Sequence, residues 1–106
     1  QVEGGIVQGI GMALYEEVRY NSKGRMETCN FMQYKIPCRK DVGQIRVAFE
    51  ESYEPTGPFG AKSVGEVVIN TPQPAIAHAI YNATGARLTR LPMTAEKVYK
   101  AMQARK

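Results

Sequence analysis

The chain has 106 residues, 43% of them hydrophobic and 23% charged, which excludes collagen-like, mucin-like and disordered classes and allows one small domain with a modest core. Its net charge of +4 is uneven: residues 1–85 carry 8 Lys/Arg against 9 Asp/Glu, residues 86–106 carry 6 against one, and a near-neutral body ends in a basic stretch. The most apolar run, residues 2–14, is too short to span a membrane and contains Glu3 and Gln8.

Residues 2–19 have helical periodicity. Val2, Ile6, Ile10, Leu14 and Val18 recur every four positions, with Val7 and Ala13 beside them. Gly4, Gly5, Gly9 and Gly11 interrupt the pattern. Each costs about 1 kcal/mol relative to Ala inside a helix, so this helix needs packing to form. Gly5 and Gly9 open a groove without side chains where a backbone or ligand can come close. Tyr20–Gly24 reads as a turn, and Arg25–Cys29 as a short strand. Tyr34–Pro37 is extended, because the residue before proline avoids the helical region.

The clearest strand pattern is Gln44–Ser52, where Ile45, Val47 and Phe49 alternate with Gln44, Arg46 and Ala48. Five prolines and glycines between Tyr53 and Gly65 predict a shaped loop. A second helix follows, with Thr71 at the N-cap, Pro72 at its first position and Gly85 just past its end. Its apolar stripe is Ile76, Ala79, Ile80 and Ala83. After an extended link, 86–91, Thr94 caps a basic helix over 94–106, with Val98, Ala101 and Met102 inward. The expected fold class is α+β, about three helices on a small sheet of two to three strands.

Cys29 and Cys38 are too few for a disulfide scaffold and match no zinc spacing, so two reduced thiols of a cytoplasmic protein are expected. No metal ligand set is assigned: the one histidine, His78, has no Cys, Asp or Glu a helical turn away. The glycine-rich start lacks the preceding strand and the Lys-Ser/Thr of a phosphate loop, and reads as close helix packing. The chain has no initiator Met and no signal-like n- and h-regions, and is expected to be cut from something longer.

The segment Gly57–Glu66 carries the most chemistry. Its small residues let backbone N–H groups reach an oxygen-rich ligand, and Lys62 and Ser63 add a cation and a hydroxyl. Glu66 stands between Gly65 and the apolar Val67, Val68 and Ile69. The residues alone leave two readings: a solvated turn glutamate, or a desolvated carboxylate with its pKa raised toward general-base range.

Gln1-Val2-Glu3-Gly4-Gly5 with Gln8-Gly9-Ile10-Gly11, Tyr34-Lys35-Ile36-Pro37, Gly60-Ala61-Lys62-Ser63-Val64-Gly65-Glu66, Pro74-Ala75-Ile76-Ala77 and Leu91-Pro92-Met93-Thr94 occur in this order. In this the chain resembles the C-terminal end of the molybdenum-binding subunit of the xanthine dehydrogenase family of molybdenum hydroxylases. The resemblance covers nearly all of residues 1–106. It implies one molybdopterin-binding subdomain of a larger cofactor-binding domain.

By that resemblance Glu66 takes the place of the catalytic base. In the family this base removes a proton from a metal-bound hydroxide, whose oxygen attacks an electron-poor carbon while hydride passes to a sulfido or selenido ligand. Gln1 matches the glutamine near the metal's oxo ligand or the pterin. Ala61, Lys62, Ser63 and Val64 match the loop around the pterin. Gly4 and Gly5 match the start of the helix packed against it.

The implied substrate is a small N-heterocycle such as a purine or nicotinate, with water as oxygen source. The implied cofactor is a molybdenum-pterin in its cytosine dinucleotide form. Iron–sulfur clusters and FAD are implied on other domains or subunits, which with the rest of the molybdenum subunit are the expected partners. The isolated piece is expected to hold no cofactor, to be inactive and to pair with a second copy through its cofactor-side face. Neither nucleic acid nor membrane is an expected partner. Two competing readings are a polyanion-binding module using the basic end and a purely structural domain with a solvated Glu66.

Overall fold

The computed structural model describes residues 1–104. Three helices form: α1 (Val2–Leu14), α2 (Pro72–Thr84) and α3 (Ala95–Gln103). Short 3₁₀ turns stand at Pro58–Gly60 and Val67–Ile69.

α1 forms on the predicted apolar spacing but ends at Leu14, short of residue 19. The amides of Tyr15 and Glu16 both donate to Gly11 O at 2.9 Å, and Tyr15 leaves helical geometry at φ −129°. Beyond it, Glu16 accepts from the Tyr34 hydroxyl at 2.6 Å and the buried Thr28 Oγ1 accepts from Arg19 N at 3.0 Å. These tertiary bonds pull the chain off the helix axis.

The glycines of α1 are where other elements meet it. A Cβ on Gly5 would overlap Val68 Cγ2, and one on Gly9 would lie 2.5 Å from Pro72 Cγ. The first contact seats the Val67–Ile69 turn and the second seats the start of α2. α2 has the predicted bounds. Gly85 closes it at φ 70°, where a side chain is strained, and donates to Tyr81 O. Thr71 does not cap with its side chain; its hydroxyl turns back toward Val68 O at 3.4 Å. Ile76 and Ile80 are half-buried, whereas Ala79 and Ala83 are exposed. Thr94 caps α3 by accepting from Lys97 N. The predicted extension of α3 to 106 lies, for Arg105 and Lys106, outside the described residues.

The expected α+β class is wrong for this chain. Among the described residues no sheet forms, and the one bridge pairs Tyr20 with Met26. Arg25–Cys29 folds into a tight loop in which Asn21 Oδ1 accepts from the Lys23 and Arg25 amides. Residues 44–52 have no helix or turn, and their backbone makes no hydrogen bond to another backbone group. A strand needs a neighbour about 4.8 Å away to become a sheet, and among the described residues these have no backbone partner.

The fully enclosed centre is small. Ala13, Ala86 and Met93 are its apolar members, and Met93 N donates to Ala13 O at 2.6 Å. No large side chain is fully buried. The radius of gyration is 17.5 Å, against about 13 Å for a compact chain of this length.

Candidate functional site

The predicted loop stands between two anchors. Upstream, residues 53–61 are closed on themselves: Glu54 N donates to Gly60 O at 3.0 Å, Gly57 N to Glu54 O at 3.1 Å and Ala61 N to Pro58 O at 3.0 Å. Thr56 adds its amide and hydroxyl to Glu54 Oε1, which holds the Glu54 carboxyl below its ordinary pKa. Downstream, Ile69 N bonds Glu66 O, and Val68 sits on Gly5.

Between the anchors, Ala61 to Val64 are exposed and without regular structure. From Lys62 to Glu66, five consecutive backbone amides donate to no protein acceptor among the described residues. The Lys62 ammonium donates to Ser52 Oγ at 2.8 Å, which carries its charge toward the 44–52 segment. Ser63 is exposed. Glu66 is exposed at the start of the Val67–Ile69 turn.

α1 brings its N-terminus to the same region. Gln1 precedes the helix, makes no side-chain cap and accepts from Gly5 N through its carbonyl at 3.0 Å. Gln1 and Val64 share a cleft of about 250 Å³ with Val2, Glu3, Val47 and Phe49. Gly4 is open, with nothing within 4 Å of an added Cβ, and lines a larger cavity of about 580 Å³ with Val7, Pro37 and Ile45. Ala61 and Lys62 instead line a third cavity with Ser52, Tyr53 and Phe59. Gln1, Gly4, Gly5 and Val64 therefore gather around the first turn of α1. Glu66 is tied to that turn through Val68 and Ile69, which lie against Gly5.

Sequence reasoning missed two features. Phe59 is fully exposed at φ 55°, a strained position for an aromatic residue. Its only signal is Gly60, which is buried with its Cα face against the Tyr53 ring. The Tyr34–Glu16 bond has no sequence signal; it raises the Tyr34 pKa, first through the hydrogen bond and then through partial burial.

The basic end offers no continuous cationic face among the described residues. Lys97 pairs with Glu17 at 3.5 Å, Lys100 pairs with Glu96, and Arg87 lies 4.2 Å over the Tyr81 ring. Cys29 and Cys38 are both free and exposed. His78 is exposed. No described helix is long and apolar enough to cross a membrane.

A family model described as a molybdopterin cofactor-binding domain matches residues 1–43. Over 101 residues the chain is 40% identical to the xanthine dehydrogenase molybdenum-binding subunit of Escherichia coli O157:H7, covering 94% of this chain and 13% of that one. It is also 40% identical over 105 residues to an aldehyde oxidoreductase of Megalodesulfovibrio gigas, covering 98% of this chain and 11% of that one. Among solved structures, quinoline 2-oxidoreductase from Pseudomonas putida 86 superposes with a TM-score of 0.87 at 32% identity, over 96% of this chain and 13% of that chain. The chain thus spans about an eighth of the length of such relatives.

Proposed function

From the premise that this chain belongs to the xanthine dehydrogenase family of molybdenum-binding subunits, we propose that it contributes the general base Glu66 and one wall of the pterin pocket to a molybdenum hydroxylase. The observation that carries this reading is the run of five amides from Lys62 to Glu66 without a protein acceptor among the described residues, in which Val64 shares a cleft with Gln1 and Val2 at the start of α1. Free amides and a helix N-terminus suit an electron-rich, oxygen-bearing ligand, and Gly4 lets it come close. The residues therefore fit the group that the family implies. When bound, the molybdenum-pterin supplies the two-electron redox and oxygen-transfer chemistry.

The chain's own part is positional. Backbone N–H groups of 62–65 would hold the pterin edge, while the Lys62 side chain donates to Ser52. Gln1, whose side chain does not cap α1, would be free to serve the metal end. Glu66 accepts a proton on its carboxylate. For that its carboxylate, exposed here, would have to be shielded from water by surroundings outside these 106 residues.

The substrate class is an electron-poor N-heterocycle such as a purine or nicotinate, with water as oxygen source. Two of the relatives described bear the names of such compounds, xanthine and quinoline. A second reading, an aldehyde, is favoured by the equal identity to an aldehyde oxidoreductase. Reduction of the complete enzyme by a heterocycle but not by an aldehyde decides between them. The cytosine dinucleotide form of the pterin, iron–sulfur and FAD partners, and a cytoplasmic location complete the proposal. The two free thiols are consistent with that compartment.

The test is Glu66→Gln in the complete enzyme under single-turnover reduction by substrate. The rate should fall well over tenfold, more than about 1.4 kcal/mol in barrier. A smaller loss overturns the assignment.

A further inference from the structure

Lys62 is the only charged residue besides Glu66 between Ala61 and Ile69. Neither α1, on which the Val67–Ile69 turn is seated, nor α2, which follows that turn, carries a lysine or an arginine. Lys62 is thus the cation that the local chain brings nearest to Glu66 in sequence. Four residues span at most about 14 Å even when fully extended, a gap that a lysine and a glutamate side chain can close from both ends. An ammonium beside a carboxylate favours the charged form, so a base paired in this way is a poor acceptor of protons. The local sequence invites an ion pair that would oppose the role proposed for Glu66.

That pair does not form. The Lys62 ammonium donates to Ser52 Oγ at 2.8 Å, and among the described residues the Glu66 side chain has no ion pair. Ser52 is brought to this place by the closed loop of residues 53–61. Glu54 N donates to Gly60 O at 3.0 Å, and the Tyr53 ring lies so close to Gly60 that a Cβ there would overlap it. Gly60 is buried at φ 75°, where a side chain is strained. With Tyr53 and Glu54 clamped onto Gly60, Ser52 and Lys62 flank the mouth of the loop, where their side chains join. Glu50 and Glu51 line the same cleft of about 520 Å³, so the field at that mouth also favours a cation.

We propose that Ser52 is a positioning residue for Glu66: it takes the Lys62 ammonium and so leaves the carboxylate unpaired to accept a proton. The inference rests on the reading of Glu66 as the base, and Ser52 acts only through Lys62. A hydrogen bond from an exposed lysine is weak, and so is an exposed ion pair. Between two weak alternatives, one well-placed hydroxyl and two carboxylates in the same cleft decide where the ammonium rests.

The experiment uses the complete enzyme and reads the limiting rate of single-turnover reduction by substrate, per bound molybdenum. Ser52→Ala releases the ammonium and should slow reduction about fivefold or more, and adding Lys62→Met to it should recover about half of the lost rate or more. A bond that only held the loop together would behave differently: with the hydroxyl already gone, removing the ammonium would bring nothing back. A double variant no faster than Ser52→Ala therefore overturns the proposal, as does Ser52→Ala at the unaltered rate. Loss of molybdenum from Ser52→Ala that Lys62→Met does not restore counts against it in the same way. Glu66→Gln in the same assay separates the two claims. If its loss is less than about tenfold, the base assignment falls and this inference falls with it; if its loss is larger while the double variant recovers nothing, only the role of Ser52 is dismissed.

Discussion

Gly4 and Gly5 are adjacent in α1 and serve opposite ends. Gly5 is buried, and any Cβ there collides with Val68; Gly4 is open. Gly5→Ala should therefore destabilise the α1 contact by about 1–3 kcal/mol through overpacking, outweighing the gain of about 1 kcal/mol in helix propensity. Gly4→Ala should keep only the gain. Amide exchange within α1 of the complete subunit reads both, speeding in the first variant and slowing in the second. If Gly4 lies against the pterin, Gly4→Ala should also lower cofactor content while leaving α1 intact. The glycine run was legible as close packing. Which glycine meets protein and which meets open space was not, because both have the same local sequence signal.

At the element scale, α2 obeys its glycine end signal but not its Thr71 cap, and α3 obeys its Thr94 cap. Thr94→Ala should cost about 1 kcal/mol, read as faster exchange in the first turn of α3. α1 behaves differently, ending where Glu16 turns to Tyr34. The hydroxyl donates to the Glu16 carboxylate, so the folded state holds the Tyr34 proton more tightly than the unfolded state. This contribution is fully present below the ordinary tyrosine pKa of 10.0 and is lost as pH rises through the higher folded value. Tyr34→Phe should cost about 1 kcal/mol near neutral pH and should flatten the alkaline loss of stability above pH 10. A denaturant series across pH 8–11 checks both. The strand pattern of 44–52 did not become a strand. The expected sheet failed because a sheet is a relation between segments, and no second segment among the described residues pairs its backbone with it.

At the scale of the whole molecule, the charge excess makes no continuous cationic face among the described residues. Lys97 and Lys100 are paired and Arg87 is stacked, so the chain should leave a heparin column at or below about 0.2 M salt. Retention well above that would revive the polyanion-binding reading. The apolar surface is a separate matter. Phe31, Met32, Phe49, Tyr53 and Phe59 are each more than 70% exposed, far more apolar surface than a self-sufficient domain of this size leaves in water.

Local signals in the sequence were sufficient for the three helices, the capping of α3, the glycine end of α2 and the shaped loop before Glu66, because each depends on residues a few positions apart. The family, too, was readable from short motifs in fixed order. Only the tertiary structure decided that α1 stops at Leu14, that Gly5 seats the turn after Glu66, that five amides stay free and that no sheet closes. Those outcomes depend on which distant groups arrive to satisfy backbone donors and fill space, and hydrogen bonds and packing are properties of pairs.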